Sequence, residues 1–513
     1  MTTSSEPKSS IEPVAAVIVL AAGGGTRMKS AKSKLLHELA GRPLVSHAID
    51  AAETLHSQHL AVVVGVLADQ VEPALQQIAP NVRIVRQSQD AYGTGHAVRC
   101  ALRELGELHG EVVVTLGDDP MLSGQTLQRF VEQHRADQNA LTVLTARVPD
   151  PSGYGRIVRG ADGSVARIVE HNDASADERA IDEINSGVFV FDAVVLADGL
   201  SRLTTHNAQG EYYLTDLPAI AQQQGHRVGA YVTDDLWEVE GVNNRIQLAA
   251  IAKEMNRRIC RRWMLDGVTI LDPDTTWIHD DVDLAPDVTL LPGTSLEGAT
   301  TIGSGSVIGP DTTLVDVEVG ENATVSRTHG SLAVIGAGAS VGPYAYLRPG
   351  TVLEAEGKIG TFVEAKNAHI GRGAKVPHLT YAGDVEIGEA ANIGAGTIFA
   401  NYDGVDKHHS TVGRASFIGS DSVLVAPVHV ADGAYVAAGS TITDDVAAGE
   451  LGIARGRQHN SSGWVLRNRA GTRTARAAEE TSTTGSSTED NTDAAPRAAT
   501  EVRDEQPGGD VVD

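Results

Sequence analysis

Cysteine is scarce in this sequence, with two residues in a chain of 513. Cys100 and Cys260 lie far apart, so we expect neither a disulfide framework nor a cysteine-rich metal site. Aromatic residues are also few, at 4%, whereas glycine is abundant, with 54 residues. This balance favours strands joined by tight turns, with few bulky side chains in the core.

Positive charge and long apolar runs are lacking as well. The formal net charge of −26 argues against a general nucleic-acid-binding protein, because such a protein needs a basic face. It still allows a local basic pocket for a phosphorylated small molecule. No apolar run is long enough to span a bilayer, and the opening MTTSSEPKSSIEP has no apolar core like that of a signal peptide. The sequence therefore predicts a cytoplasmic protein without membrane insertion.

The length favours at least two domains, because one hydrophobic core rarely serves so long a chain. From Val14 to about Glu240, aliphatic runs such as VAAVIVL alternate with helix-like segments such as LVSHAIDAAETL. This alternation predicts a Rossmann-like α/β domain, with a mostly parallel sheet covered by helices. A periodic, proline-free segment then predicts a linker helix. We interpret its arginines as a solvated or inter-domain face rather than a phosphate patch.

A second periodicity begins near Val268. Aliphatic–glycine pairs such as Ile302-Gly303 and Ile308-Gly309 recur at multiples of six residues. A hexapeptide repeat is typical of a parallel β-helix, in which three strands make a coil of about 18 residues. The aliphatic residue points inward, and glycine permits the tight corner.

The two ends are predicted to lack a core, because their polar residues bury too little apolar surface to offset chain entropy. The expected organisation comprises a disordered N-terminus (1–12), an α/β domain (13–243), a linker helix (244–267), a β-helix domain (268–465) and a disordered acidic tail (466–513).

The segment LAAGGGTRM, residues 20–28, has the small residues of a phosphate-binding loop. It lacks the third glycine of the dinucleotide fingerprint and the glycine that precedes Lys-Ser in a Walker loop. With the lysine that follows, it instead resembles the motif of sugar-phosphate nucleotidyltransferases. The resemblance implies that Arg27 grips a triphosphate and that Lys34 holds the attacking sugar phosphate; both are candidate catalytic residues.

Later segments extend this resemblance to UDP-N-acetylglucosamine pyrophosphorylase. They are DAYGTGHA, LGDDP, GYGRIVR, IVEHNDA, EINSGVF, NAQGEYYLTD and EVEGVNNR. The substrate-binding residues that it implies, besides Lys34, are Leu20, Ala21, Ala22, Gly23, Gln87, Gly93, Thr94, Gly117, Asp118, Gly155, Glu170, Asn185 and Asn243. Gln89 is the alternative to Gln87 as the uridine contact, because the chain is one residue longer here than the family pattern.

The same resemblance implies that Asp118 and Asn243 bind Mg²⁺. Two protein ligands completed by phosphate oxygens and waters suit this ion. We interpret the neighbouring Asp119 as a solvated or capping carboxylate. In the implied reaction, N-acetylglucosamine 1-phosphate attacks the α-phosphorus of UTP and pyrophosphate leaves. The protein has to hold two anions together and neutralise charge in the transition state.

Four segments break the hexapeptide pattern with polar and aromatic residues. They are AYLRPG, FVEAKNAHI, KVPHLTYAGD and FANYDGVDKHHS. Insertions in solenoids gather on one face, often the functional one. These strings resemble the acetyltransferase half of the GlmU family of bifunctional enzymes, and the two-part resemblance covers roughly residues 14–465. It implies a left-handed β-helix, a homotrimer, and transfer of an acetyl group from acetyl-CoA to glucosamine 1-phosphate.

His378, in HLTY, matches the general base of that family. An imidazole with an unperturbed pKa of about 6.5 can accept the proton of the attacking amine. The implied sugar-phosphate and sugar contacts are Arg348, Lys366, Tyr381 and Asn392. The implied acetyl-CoA contacts are Ala395, Asn401, Tyr402, Ser420, Ala438 and Arg455. We interpret the pair His408-His409 as an exposed loop rather than a metal site.

Together these observations predict a bifunctional enzyme that acetylates glucosamine 1-phosphate and then uridylylates the product. UDP-N-acetylglucosamine would result, for use in bacterial cell-envelope synthesis. Two alternatives remain open. One is a nucleotidyltransferase whose β-helix only regulates or oligomerises, and the other is a non-catalytic binding scaffold.

Overall fold

The structure is a computed structural model that describes residues 12–484. The chain divides into two units, Met1–Ala454 and Arg455–Asp513. Nearly all of the predicted disordered N-terminus, and residues 485–513 of the predicted tail, lie outside the described residues.

The first part of the chain forms the predicted α/β domain. Its strands are β1 (Ala16–Ala21), β2 (Glu38–Leu39), β3 (Arg42–Pro43), β4 (His59–Val64), β5 (Arg83–Arg86), β6 (Glu111–Leu116), β7 (Leu141–Arg147), β8 (Arg156–Arg159), β9 (Val165–Val169), β10 (Glu183–Asp192) and β11 (Val228–Val232). Its helices are α1 (Leu44–Glu53), α2 (Ala68–Ile78), α3 (Thr94–Leu105), α4 (Gly124–Ala136), α5 (Ala176–Arg179), α6 (Ala193–Arg202) and α7 (Leu217–Gln223). Short 3₁₀ helices span Thr26–Met28, Lys34–Leu36, Leu214–Asp216 and Leu236–Val239.

The main sheet has the order β11-β7-β10-β6-β1-β4-β5, with β8 and β9 attached to β10. Strands β6, β1, β4 and β5 are parallel, whereas β10 runs antiparallel between β6 and β7. All six residues of β1 are buried, and alternate residues belong to the apolar clusters on opposite faces of the sheet. Helices therefore cover both faces, which is why the strand reads as a continuous aliphatic run.

Helix α8 (Arg245–Leu265) follows this domain and begins at Asn244, whose side chain accepts hydrogen bonds from the first turn. It packs against both neighbours. Ile251 lies in a cluster with Met28 and Leu44 of the α/β domain, whereas Ile259 belongs to the core of the C-terminal domain.

The arginines of α8 pair with both domains. Arg258 donates hydrogen bonds to Glu254 within the helix and to Asp235 in the α/β domain. Arg262 lies 3.8 Å from Asp280, beyond the helix. These two arginines therefore form an inter-domain face, in line with the interpretation from the sequence.

The next part of unit 1 is a parallel β-helix. Its strands are Thr269–Ile270, Trp277–Ile278, Asp283–Leu284, Thr289–Leu290, Ser295–Glu297, Thr301–Ile302, Val307–Ile308, Thr313–Val315, Glu318–Val319, Thr324–Val325, Thr328–Ser331, Val334–Ile335, Ser340–Val341, Ala345–Leu347, Val352–Leu353, Lys358–Thr361, Glu364–Ile370, Lys375–His378, Tyr381–Ile387, Asn392–Ile393, Ile398–Ala400, Ser410–Val412, Phe417–Ile418, Val423–Val425, His429–Val430, Tyr435–Val436, Thr441–Ile442 and Leu451–Gly452.

Each of these strands pairs with the third strand along the chain in the regular part of the domain. Thr289 pairs with Val307, which is one predicted coil of 18 residues. The inward residues Leu290 and Ile308 stack in register and are fully buried. At Gly303 the corner glycine is required by close approach of the next coil, because a Cβ there would lie 2.6 Å from the Glu321 backbone nitrogen.

The second unit contains helices α9 (Trp464–Asn468) and α10 (Arg473–Thr484). The structure here differs from the expectation of a disordered tail from residue 466. The segment RTARAAEE is rich in alanine, arginine and glutamate, which favour a helix even where little apolar surface is available. Among residues 12–484, no helix has both the length and the apolar character required to cross a bilayer.

We predict that Ile308→Ala lowers the free energy of unfolding of the β-helix by about 2–5 kcal/mol, because it leaves a cavity among stacked coils. Val307→Ala changes the adjacent, partly exposed position and is expected to cost about 1 kcal/mol or less. Urea denaturation of the full chain compares the two variants. Equal destabilisation would contradict the inward stack.

Candidate active sites

The nucleotide end of the α/β domain is built where β1 and β6 end side by side. Leu20 pairs with Leu116 in register, and the Gly117 N–H donates a hydrogen bond to the Leu20 carbonyl at 2.9 Å. The residues that follow the two strands, among them Ala22, Gly23 and Asp118, therefore leave the sheet at the same edge.

At this edge, two cationic side chains donate hydrogen bonds to the two predicted metal ligands. The Lys34 ammonium donates a hydrogen bond to Asp118 Oδ2, and both side chains are largely buried. Arg27 Nη2 donates to Asn243 Oδ1 at 2.7 Å, joining positions 216 residues apart in the chain. The structure thus brings together all four residues that the sequence assigns to phosphates and metal.

A cavity of about 310 Å³ opens beside these pairs. The sequence-predicted residues that line it are Arg27, Asp118, Gly155, Glu170, Asn185 and Asn243. A Cβ at Gly155 would lie 3.5 Å from both the Asn185 Cβ and Glu170 Oε1, so the missing side chain leaves the cavity open. Burial raises the pKa of Glu170, whose Oε1 accepts a hydrogen bond from Thr215 Oγ1 at 3.0 Å.

The predicted uridine contacts lie on a separate turn that does not line this cavity within the described residues. Gln87 Nε2 donates to the Gly93 carbonyl at 3.3 Å, whereas Gln89 is exposed. Gln87 therefore contacts Gly93, another predicted uridine contact. Gly93 has φ 106°, and a Cβ there would lie 2.4 Å from the Tyr212 carbonyl oxygen. Thr94 Oγ1 accepts a hydrogen bond from Leu214 N at 3.1 Å.

Asp119 corrects one prediction. It is 3% exposed, so it is neither solvated nor at a solvent-facing cap. Burial and the adjacent Asp118 raise the pKa of its carboxyl well above the usual range, although Lys34 opposes the shift. A short polar residue after a strand gives no sign in the sequence of which way its side chain turns.

Glu238 is a buried residue that the sequence analysis missed. Its carboxylate is 4% exposed and accepts hydrogen bonds from Ser123 Oγ at 2.7 Å, Thr126 Oγ1 at 2.8 Å and Thr233 Oγ1 at 3.1 Å. It thereby joins the segment that leads to Asn243 to the start of α4, just after Asp118. A lone glutamate in LWEVEG has no pattern that would have revealed this network.

The donor set at this edge fits Mg²⁺. One carboxylate (Asp118) and one amide oxygen (Asn243) leave room for phosphate oxygens and waters, as this ion prefers. In the structure both groups already accept hydrogen bonds from cationic side chains, which shows that the position favours positive charge. Within residues 12–484, no set of three or more His, Cys, Asp or Glu side chains is arranged to hold a metal ion by itself.

In the β-helix, several of the predicted sugar contacts and the predicted acetyl-CoA contact Asn401 gather where the repeat is broken. Asn401 is buried, and its Nδ2 donates to an Asp384 carboxylate oxygen and, at 3.5 Å, to the Tyr381 hydroxyl. Arg348 Nη1 donates to Glu364 Oε1 at 2.8 Å, one strand away. The residue paired with Tyr381 in register is also Glu364, so these groups share one face of the coil stack.

Lys407 is a second residue that the sequence analysis missed. It lies beside Lys366, whose ammonium lowers the pKa of Lys407 because the two like charges repel. Tyr402 and Lys407 form an isolated antiparallel bridge, so residues 400–409 loop out of the coil stack. Two adjacent ammonium groups form a position suited to a phosphate group.

His378 ends its strand and is exposed. Its carbonyl accepts hydrogen bonds from Gly396 N at 3.2 Å and Thr380 Oγ1 at 2.9 Å, which fix the backbone at this corner. Asn392 begins the neighbouring strand and pairs with Lys375.

The predicted acetyl-CoA contacts follow one corner along the stack. The carbonyl of Ala395 accepts from Asp421 N at 2.7 Å, and that of Ser420 accepts from Gly439 N at 2.8 Å. Ala395, Ser420 and Ala438 therefore lie on three successive coils. Tyr402 is exposed in the loop described above. Arg455 belongs to the second unit and is exposed.

The loop with Tyr402 also carries the pair His408-His409. His408 Nε2 lies 2.7 Å from Asp403 Oδ2, and His409 is exposed.

The fold and the two clusters define a nucleotidyltransferase-type α/β domain joined to a hexapeptide-repeat β-helix. Residues 17–182 match the MobA-like NTP transferase domain family. The "Bifunctional protein GlmU" of Streptomyces avermitilis is 55% identical over 92% of this chain and 98% of its own length. The protein of the same name from Kineococcus radiotolerans is 55% identical over 93% and 97%. The chain belongs to the GlmU family.

A solved structure, that of a UDP-glucose pyrophosphorylase complexed with UDP-glucose, is 19% identical to the chain. It covers 48% of this chain and 99% of its own, with a TM-score of 0.40.

We predict that Glu238→Gln loosens the α/β site, because an amide cannot accept all the hydrogen bonds that the carboxylate accepts. Backbone hydrogen exchange should rise about tenfold or more at Ser123–Thr126 and at Val242–Asn243. The exposed Glu132→Gln on the same helix α4 is the matched control. Unchanged exchange in Glu238→Gln would contradict the role of this network.

Proposed function

We propose that the protein is a bifunctional enzyme that makes UDP-N-acetylglucosamine. The β-helix acetylates glucosamine 1-phosphate with acetyl-CoA, and the α/β domain then transfers a uridylyl group from UTP to N-acetylglucosamine 1-phosphate. The observation that carries the proposal is the presence on one chain of two separate cationic clusters, one with Arg27 and Lys34 and one with Lys366 and Lys407. Membership of the GlmU family over nearly the full length supports both halves.

In the uridylyl transfer, the protein positions two anions. Lys34 and Arg27 hold the sugar phosphate and the triphosphate, and their charges offset the repulsion between the two. Gly155, Glu170 and Asn185 hold the sugar in the cavity beside them, and Gln87, Gly93 and Thr94 hold the uracil. Asp118 and Asn243 would hold Mg²⁺, which supplies further charge neutralisation at the phosphates. The attacking phosphate is already ionised, so no general base is required.

In the acetyl transfer, His378 accepts a proton from the sugar ammonium group. The freed amine attacks the thioester carbonyl, the C–N bond forms and the C–S bond breaks. The nitrogen gives its second proton to the departing thiolate, so that the amide and the free thiol of coenzyme A are the products. Arg348, Lys366 and Lys407 bind the phosphate, and Tyr381 and Asn392 contact the sugar. Acetyl-CoA lies along the corner formed by Ala395, Ser420 and Ala438, with Asn401 and Tyr402 near the acyl group.

We infer a homotrimer because the resemblance to the GlmU family implies an acyl site built between subunits. Exposed apolar side chains on the β-helix support an interaction surface: Tyr344 stacks on Phe362, and Phe417 stacks on Tyr435. A second subunit would cover the exposed His378. The proposed setting is the bacterial cytoplasm, where the product supplies cell-wall and envelope synthesis and the other partners are the small-molecule substrates.

The two activities are expected to separate by mutation. Asp118→Asn should lower uridylyl transfer at least a hundredfold, since it removes the carboxylate that positions both Lys34 and the divalent cation, and should leave acetyl transfer unchanged. His378→Ala should lower acetyl transfer by about 10²–10⁴ and leave uridylyl transfer unchanged. Separate assays of acetyl-CoA consumption and pyrophosphate release measure both.

The wild-type protein distinguishes the alternatives in the same assays. Pyrophosphate release without acetyl-CoA consumption would favour a β-helix that only regulates or oligomerises. A wild type with neither activity, and therefore no change in the two variants, would favour a binding scaffold.

Lys407→Ala is expected to raise the KM for glucosamine 1-phosphate about tenfold or more, because charge-assisted hydrogen bonds to the phosphate are lost. The value of kcat should change less, since the residue does not touch the reacting nitrogen. Lys358→Ala removes an exposed lysine elsewhere on the β-helix and serves as the control. Equal KM values in both variants would contradict a role of Lys407 in binding the phosphate.

A further inference from the structure

Asp119 takes no part in the reaction proposed above, yet it lines the same cavity as Asp118 and Asn243. Its Oδ2 is buried and has no hydrogen-bond partner among the residues that the structure describes. An unpaired carboxylate in such a position is strongly disfavoured when ionised, unless a positive charge compensates it. A cation bound next to this carboxylate would therefore stabilise its ionised form.

The space in front of Asp119 is bordered by the predicted metal ligands. A Cβ at Gly241 would lie 2.8 Å from Asp119 Oδ1, 3.5 Å from Asp118 Oδ2 and 3.8 Å from Asn243 Nδ2. Two carboxylates and one amide thus surround the point that glycine leaves empty. A bulkier residue at Gly241 would separate them.

The charged groups that act on Asp119 are Asp118, Lys34 and Glu240. Lys34 acts on it as a cation, and Arg27 is a second cation that lines the same cavity. Lys34 donates a hydrogen bond to Asp118 and Arg27 donates one to Asn243, whereas Asp119 Oδ2 has no partner among the described residues. Both cations are therefore engaged by the predicted metal ligands, and the buried oxygen of Asp119 is left without a positive partner.

We propose that Asp119 is a second anionic group of the divalent-cation site and raises the affinity of the site for the cation through its charge. Asp118 and Asn243 remain the ligands, and Asp119 is a positioning residue behind them. The inference rests on the proposed function and adds a residue to it. Groups that support metal ligands from behind typically change metal affinity by about 10–100-fold.

The test measures direct binding of Mn²⁺ to the full chain. The electron paramagnetic resonance signal of the unbound ion reports how much Mn²⁺ remains free. It is measured once for the protein alone and once with UDP-N-acetylglucosamine, which does not turn over without pyrophosphate. Asp119→Asn is expected to weaken Mn²⁺ binding about tenfold or more in at least one of the two states. Asp182→Asn, which removes a partly exposed acid elsewhere in the domain, should bind like the wild type.

Unchanged or tighter Mn²⁺ binding by Asp119→Asn in both states would overturn the inference. Asp119→Ser is a smaller second variant for the case that the amide disturbs folding, and acetyl transfer by the β-helix of the same molecule reports that each variant is intact. If the wild type makes UDP-N-acetylglucosamine and Asp119→Asn binds Mn²⁺ as tightly as the wild type, the inference about Asp119 is wrong and the proposed function stands. A wild type that neither binds Mn²⁺ nor releases pyrophosphate removes the proposed function as well.

Discussion

The parallel pairing of β1 with β6 is the constraint on which the nucleotide site depends. It places the glycine-rich loop and Asp118 at one edge, where opposite charges then fix the side chains. Arg27 and Lys34 would repel each other and any approaching cation if their partners were absent. The site therefore consists of alternating charges held in a partly buried position, with few apolar contacts of its own.

The β-helix depends on a different constraint, which is the register of one coil on the next. Regular coils take 18 residues, so the functional residues need departures from the repeat. Val385 pairs with Ser410, a step of 25 residues, because the loop at 400–409 is inserted between them. That insertion brings Asn401 and Lys407 beside residues of the preceding coils while the aliphatic stack continues beneath them.

Periodicity made the architecture predictable, because one buried aliphatic residue and one corner recur in each unit of the hexapeptide repeat. The motifs also pointed to Arg27, Lys34, Asp118 and Asn243, which the structure brings together at one edge of the sheet. Asp119, Glu238 and Lys407 were not predictable, since their roles depend on the direction in which single side chains turn. The helix at Arg473–Thr484 was missed for another reason: composition reports the lack of a core, not the local preference of an alanine-rich segment.

Helix α8 covers apolar residues of both neighbours, with Ile251 on one side and Ile259 and Cys260 on the other. The helix is therefore a packed part of both domains and not a flexible linker between them. If either half were exchanged for an unrelated domain, the new domain would need a surface that matches α8. Without it, apolar residues of both hydrophobic cores would be exposed to solvent. The two halves are thus held together by packing that they share along this one helix.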